Sequence, residues 1–149
     1  MEEIKELARI SNEIGRQKEL VQAGGGNTSV KTIDGRMFIK ASGFTFSEMT
    51  ENSGFAILDY NKIEKFFDEY SGVTNSPQDE NMYNQSLTES MIDSSLLKPS
   101  MEAGVHVFLY RVVVHTHPVM ANILNCTKGG GKIAKELFSD IVPESLWVD

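Results

Sequence analysis

Apolar residues recur at helical spacing near the amino terminus. Ile4, Leu7, Ala8, Ile14 and Val21 form one stripe, which predicts a helix over residues 3–22 ended by the run "AGGGNTS". The pattern then changes to period two. "TSVKTI" and "RMFIKA" are β-rich arms around Asp34-Gly35, a favoured two-residue turn, and together predict a hairpin. "GFAILDY" predicts a third strand, followed by a short amphipathic helix, "NKIEKFFDEY", capped by Asn61. A polar loop, "SGVTNSPQDE", leads to a weaker helical pattern near 79–95. "KPSMEAGVHVFLY" is expected to be a loop and then a helix starting near Ser100, before "RVVVHTH" forms a strand. "PVMANIL" begins a helix with proline in its first turn, "GKIAKELFSD" is another helix, and "ESLWVD" starts like a strand. Helices and strands interleave, so the expected class is α/β, a mixed sheet covered by helices.

At 149 residues the chain is long enough for one domain with a real core. A net charge of −7 argues against a nucleic-acid backbone as partner, and the lysines near the amino terminus alternate with glutamates as on a solvated helix face. The single cysteine, Cys126, supports neither a disulfide framework nor a cysteine-based zinc site. "MEEIKELARI" is charged from its second residue, unlike a signal peptide, and no apolar run approaches the ~20 residues needed to span a bilayer. The expected setting is the reducing cytoplasm, where the N-x-S/T triplets at Asn27, Asn84 and Asn125 carry no meaning.

Two of the three histidines stand one residue apart in "VVVHTHPVMANIL". On a strand, His115 and His117 would share a face and could hold one small ion. An ordinary polar strand end is the alternative, since two imidazoles are fewer than the three or four ligands of a zinc site. "TKGGGKI" is rejected as a phosphate-binding loop: Cys126 stands where the first glycine should be, and Ile133 where Ser or Thr should follow the lysine. "GGGNTS" offers positive-φ backbone and neutral donors for an anion, with a helix C-cap as the alternative. "KASGF" and "KPSME" are further small-residue turns. Glu102 falls in the first turn of the helix near Ser100, and His106 lies four residues on, on the same face. A capping or surface role suffices for Glu102, and a buried, hydrogen-bonded role for His106.

Taken in order, "GGGNTSVK", "FIKASG", "KPSMEAGVH" and "VVVHTHPVMANIL" resemble the class II aldolase/adducin head family, from about residue 15 onward. The short interval from Glu102 to His115 resembles a branch found alone or fused to a short-chain dehydrogenase. The resemblance implies a three-layer α/β/α sandwich around a largely antiparallel sheet, assembled as a homo-oligomer, a tetramer in the family. It implies that His115 and His117 are zinc ligands and that Glu102 is the acid/base, able to reach the metal when no substrate is bound. Gly26 with Asn27, Ser42 with Gly43, and Ser100 with Met101 would be the turns around the substrate phosphate. Met101 departs from the serine of some members and would donate only its backbone N–H.

The implied activity is zinc-dependent retro-aldol cleavage of a ketose phosphate to dihydroxyacetone phosphate and an aldehyde, with zinc as Lewis acid and Glu102 shuttling the hydroxyl proton. A sugar-phosphate epimerase and a non-catalytic, adducin-head-like assembly module are the alternatives. The family's third zinc histidine lies well downstream of the H-x-H pair, and no histidine follows His117. The expectation is therefore a single domain over 1–149 without the usual C-terminal part. Such a chain would show an open strand edge near "SLWVD", self-association, and little aldolase activity on its own.

Overall fold

In the second strand Met37 and Ile39 point to one side and Phe38 to the other, and all three are fully buried. A strand buried on both faces needs a layer of helices on each side, which is what the computed structural model shows over residues 2–70, 76–93 and 97–142. Four strands, β1 (Asn27–Lys31), β2 (Arg36–Lys40), β3 (Phe55–Asp59) and β4 (Val112–His115), form one sheet in the order β3-β2-β1-β4, every pair antiparallel. Helix α1 (Glu2–Gly15) covers one face, where Ile4 and Leu7 pack with Val30, Phe38, Met49 and Phe55. Helices α2 (Tyr60–Glu69), α3 (Pro77–Ser90) and α4 (Ala103–Val107) cover the other, bringing Ile63, Leu87, Ala103 and Val107 onto Met37, Ile39, Ala56 and Leu58. The expected α/β/α sandwich around an antiparallel sheet is the observed architecture.

β1 is the spine of the site. Its alternation sends Thr28 toward α1, where its hydroxyl meets that of Ser11 at 2.6 Å. Asn27, Ser29 and Lys31 face α4 instead. Lys31 is buried there, donating from Nζ to the carbonyls of Val107 (2.7 Å) and Leu109 (2.6 Å) at the end of that helix.

Several boundaries differ from expectation, each for a local reason. α1 stops at Gly15 rather than running to 22, because tight turns follow, with Gln17 N–H bonded to Ile14 O and Leu20 N–H to Gln17 O. The hairpin loop has three residues, not two. Thr32 pairs with Arg36, and Gly35 takes φ +88 in the left-handed position of a bulged turn. Asp59, not Asn61, caps α2, its carboxylate accepting Asn61 N–H at 3.1 Å. α3 starts earlier and ends sooner than 79–95, with Ser76 as cap and Pro77 in its first turn.

α4 begins at Ala103, because residues 100–102 form a turn in which Ser100 Oγ accepts Glu102 N–H at 3.3 Å. β4 ends at His115, so His117 lies outside the strand. Pro118 is the cap of α5 (Val119–Cys126) rather than part of its first turn, and Gly129, at φ +81, turns the chain into α6 (Gly130–Phe138). The strand expected at "ESLWVD", its open edge and part of the 71–80 loop lie outside the described residues. Among the described residues no helix is long and apolar enough to cross a membrane.

Candidate metal and anion site

His115 is the last residue of β4 and sits directly opposite Asn27, the first residue of β1. His117 follows two residues later, after the strand has ended. Its ring still lies 4.9 Å from that of His115, centroid to centroid. What brings it back is the glycine run before β1. A Cβ on Gly25 would stand 3.0 Å from His117 Nδ1, and one on Gly26 would stand 2.6 Å from the His115 carbonyl oxygen. Of the three glycines only Gly26 has a positive φ, +80, so the expected succession of left-handed residues is not formed. The absent side chains of Gly25 and Gly26 make room for the H-x-H segment, a packing role beside the anion-binding one expected from the sequence.

The third member arrives from α4. Glu102 occupies the N-cap position, but its side chain caps nothing. Its Oε1 lies 3.4 Å from His115 Nδ1 and 4.0 Å from His117 Nε2. One donor atom from each of the three residues falls within 4.8 Å of the others. Ligands about 2.1 Å from a tetrahedral ion stand about 3.4 Å apart, so this donor set has the right chemistry and nearly the right spacing for a divalent cation. All three side chains are about one-third to two-fifths exposed, which leaves coordination positions open to water or substrate.

Beneath them lies His106. It is 1% exposed, its Nδ1 is 2.8 Å from Ser29 Oγ, and its ring centroid is 6.4 Å from that of His115. Burial first, and then the neighbouring His115, push its pKa down to about 4, so it is neutral near pH 7. The buried, hydrogen-bonded role expected for it is the one it has. Its Nε2 and the Oδ1 of buried Asn27 lack hydrogen-bond partners among the described residues.

The three turns expected around a substrate phosphate are only partly brought together. An isolated bridge between Ala41 and Pro99, and a 3.0 Å bond from Ser42 N–H to Lys98 O, set "KASG" against "KPSM". Ser42 and Met101 accordingly line one cavity of about 620 Å³, which Gly26 and Asn27 do not reach. Gly43 is exposed at φ +83 with open space above it, Ser100 is half-buried, and Met101 is exposed.

The link to the glycine loop is a residue that the sequence reading passed over. Lys40 is 2% exposed and donates from Nζ to Phe44 O at 2.6 Å and to Gly24 O at 3.4 Å. Burial lowers its pKa, opposed by the carboxylates of Glu102 and Glu48. Its signal in the sequence is a lysine placed inside the apolar arm "RMFIKA".

The family model described as "Class II Aldolase and Adducin N-terminal domain" matches residues 5–144. YuxG of Bacillus subtilis, an uncharacterized oxidoreductase, is 33% identical over 156 aligned residues, covering 97% of this chain and 21% of that protein. The N-terminal class II aldolase domain of a conserved protein from Thermoplasma acidophilum superposes with a TM-score of 0.69 at 29% identity, over 89% of this chain and 63% of that one. YgbL of Escherichia coli, for which aldolase, epimerase and decarboxylase are named as alternatives, shares the fold at a TM-score of 0.55 and 18% identity, over 85% and 49%. The chain thus spans less than two thirds of each of these relatives.

Proposed function

The chain belongs to the class II aldolase and adducin N-terminal family, and on that premise we propose that it is the metal-binding domain of an aldolase-type lyase acting on a sugar phosphate. The observation that carries this reading is the convergence of Glu102, from the start of α4, with His115 and His117, from the end of β4 and just beyond it. Class II aldolases use a divalent cation, and a carboxylate with two imidazoles is a donor set suited to zinc. Bound there, zinc would supply Lewis-acid stabilisation of the charge left when a carbon–carbon bond breaks.

The other steps fall to the chain itself. Glu102 would accept the hydroxyl proton of the substrate, and its carboxylate is unengaged by its own helix and within reach of both imidazoles. The turn atoms of Ser42, Gly43, Ser100 and Met101, with Gly26 and Asn27 beyond, would hold the phosphate by neutral donors and fix the reacting carbons. Lys40 adds buried positive charge between the glycine loop and the Ser42 turn.

One observation favours a second reading, a non-catalytic binding module. The site brings two imidazoles, and Glu102 lies close enough to serve as a third ligand, where it would not be free as a base. Elemental analysis of zinc-loaded protein, paired with a retro-aldol assay following dihydroxyacetone phosphate from a panel of ketose 1-phosphates, separates the two. Zinc-dependent cleavage abolished by Glu102→Gln supports the lyase, and zinc binding without cleavage supports the module. Equal zinc content in wild type and the His115→Ala/His117→Ala double variant overturns both.

A further inference from the structure

α4 has five residues, too few for a helix to hold itself in place, yet Glu102 stands at its N-cap. The group that holds it there comes from α3. The Tyr83 hydroxyl donates to Met101 O at 2.6 Å and accepts Gly104 N–H at 2.8 Å, so one oxygen is bonded to the backbone on both sides of Glu102. The tyrosine ring is braced by Phe66 and Phe67, at centroid distances of 6.2 and 5.7 Å, and burial holds its pKa above the usual phenol value.

Gly104 carries independent evidence of the same arrangement. Glycine inside a helix costs about 1 kcal/mol relative to alanine, and Gly104 has no positive φ to account for it. A Cβ at that position would stand 2.5 Å from the Tyr83 hydroxyl oxygen, with Phe67 carbons at 3.1 Å. The missing side chain therefore makes room for this bond.

We propose that Tyr83 is a positioning residue for Glu102, setting the carboxylate against His115 and His117 through the backbone of residues 101 and 104. The proposal rests on the metal-site reading given above. It makes α3 part of the site through the backbone that carries Glu102 rather than as a source of ligands. The role requires the neutral hydroxyl, which is donor and acceptor at once. A phenylalanine fills the same space and does neither.

The test is Tyr83→Phe, with Gly104→Ala as a second variant that disturbs the same bond from the other side. Three readouts are taken: thermal unfolding, the crystal structure of the metal-free protein, and titration with Co²⁺ alone followed by its visible absorption bands. Both variants are expected to remain folded, to show Glu102 Oε1 displaced from its 3.4 Å approach to His115 Nδ1, and to bind Co²⁺ about tenfold more weakly, the usual consequence of losing an outer-shell partner. A Tyr83→Phe crystal structure with Glu102 in place, together with an unchanged Co²⁺ spectrum and affinity, overturns the proposal. If wild type binds no Co²⁺, the metal-site reading fails, and the Glu102 displacement alone still decides the role of Tyr83.

Discussion

Asn27 and His115 face one another directly across the β1–β4 ladder, the first residue of one strand against the last of the other. The register of a single strand pair thus sets the glycine-rich loop beside a candidate metal ligand. A one-residue slip would turn His115 to the opposite face of the sheet. The relation makes buried Asn27 the cross-strand neighbour of the His115 imidazole.

Sulfate or inorganic phosphate should raise the unfolding temperature of the wild type by binding the native state. Asn27→Asp is expected to abolish that shift, since it sets a carboxylate against the anion. Differential scanning fluorimetry with increasing sulfate measures it. Protection that survives the substitution would show that the loop is not part of the anion site.

Gly26→Ala and Gly43→Ala should differ although both residues have φ near +80. At Gly43 the added Cβ meets open space, and only the backbone penalty of roughly 1–2 kcal/mol applies. At Gly26 the same penalty is joined by a clash with the His115 carbonyl 2.6 Å away. Urea unfolding should therefore show a larger loss for Gly26→Ala, and zinc binding should fall in that variant alone. Equal effects on stability and zinc would remove the close-approach role given to Gly26.

Lys40→Met should loosen the tie between the glycine loop and the turn at Phe44. Two carbonyls lose a donor, one on half-buried Phe44 and one on exposed Gly24, which costs about 1 kcal/mol. Loss of sulfate protection is expected alongside the stability change. A variant as stable as the wild type and still protected by sulfate would reduce Lys40 to a bystander.

The pKa of His106 gives stability a direction with pH. In the folded chain it is about 4 against 6.5 for the free side chain, so the unfolded state takes the proton first. Its contribution is present in full above pH 6.5 and is lost as pH falls from there through 4, reaching about 3 kcal/mol at pH 4. The charged and titratable groups facing it are His115 and Lys31, which lower the pKa, and Glu102, which raises it. His106→Asn keeps a partner for Ser29 but does not titrate. Its stability, from urea unfolding at pH 7 and pH 4, should fall less than that of the wild type by that amount.

Periodicity and turn chemistry were enough to find the hairpin, the third strand and the H-x-H segment, because each depends on residues close together in the chain. The same local signals misplaced the end of α1, the cap of α2 and the start of α4. In each case a short-range bond sets the boundary, Gln17 N–H to Ile14 O, Asn61 N–H to Asp59 and Glu102 N–H to Ser100, and apolar spacing does not encode which of several polar residues makes it. The packing of Gly25 and Gly26 against the H-x-H segment, the burial of Lys40 and the hydroxyl of Tyr83 on both sides of Glu102 were likewise beyond a linear reading. Period two placed His115 and His117 on one face, yet β4 ends at His115. The two rings meet because the glycine loop leaves them space, not because strand alternation continues. Backbone geometry along the chain specifies which residues can share a face. Which of them approach within bonding distance depends on how the layers close on one another.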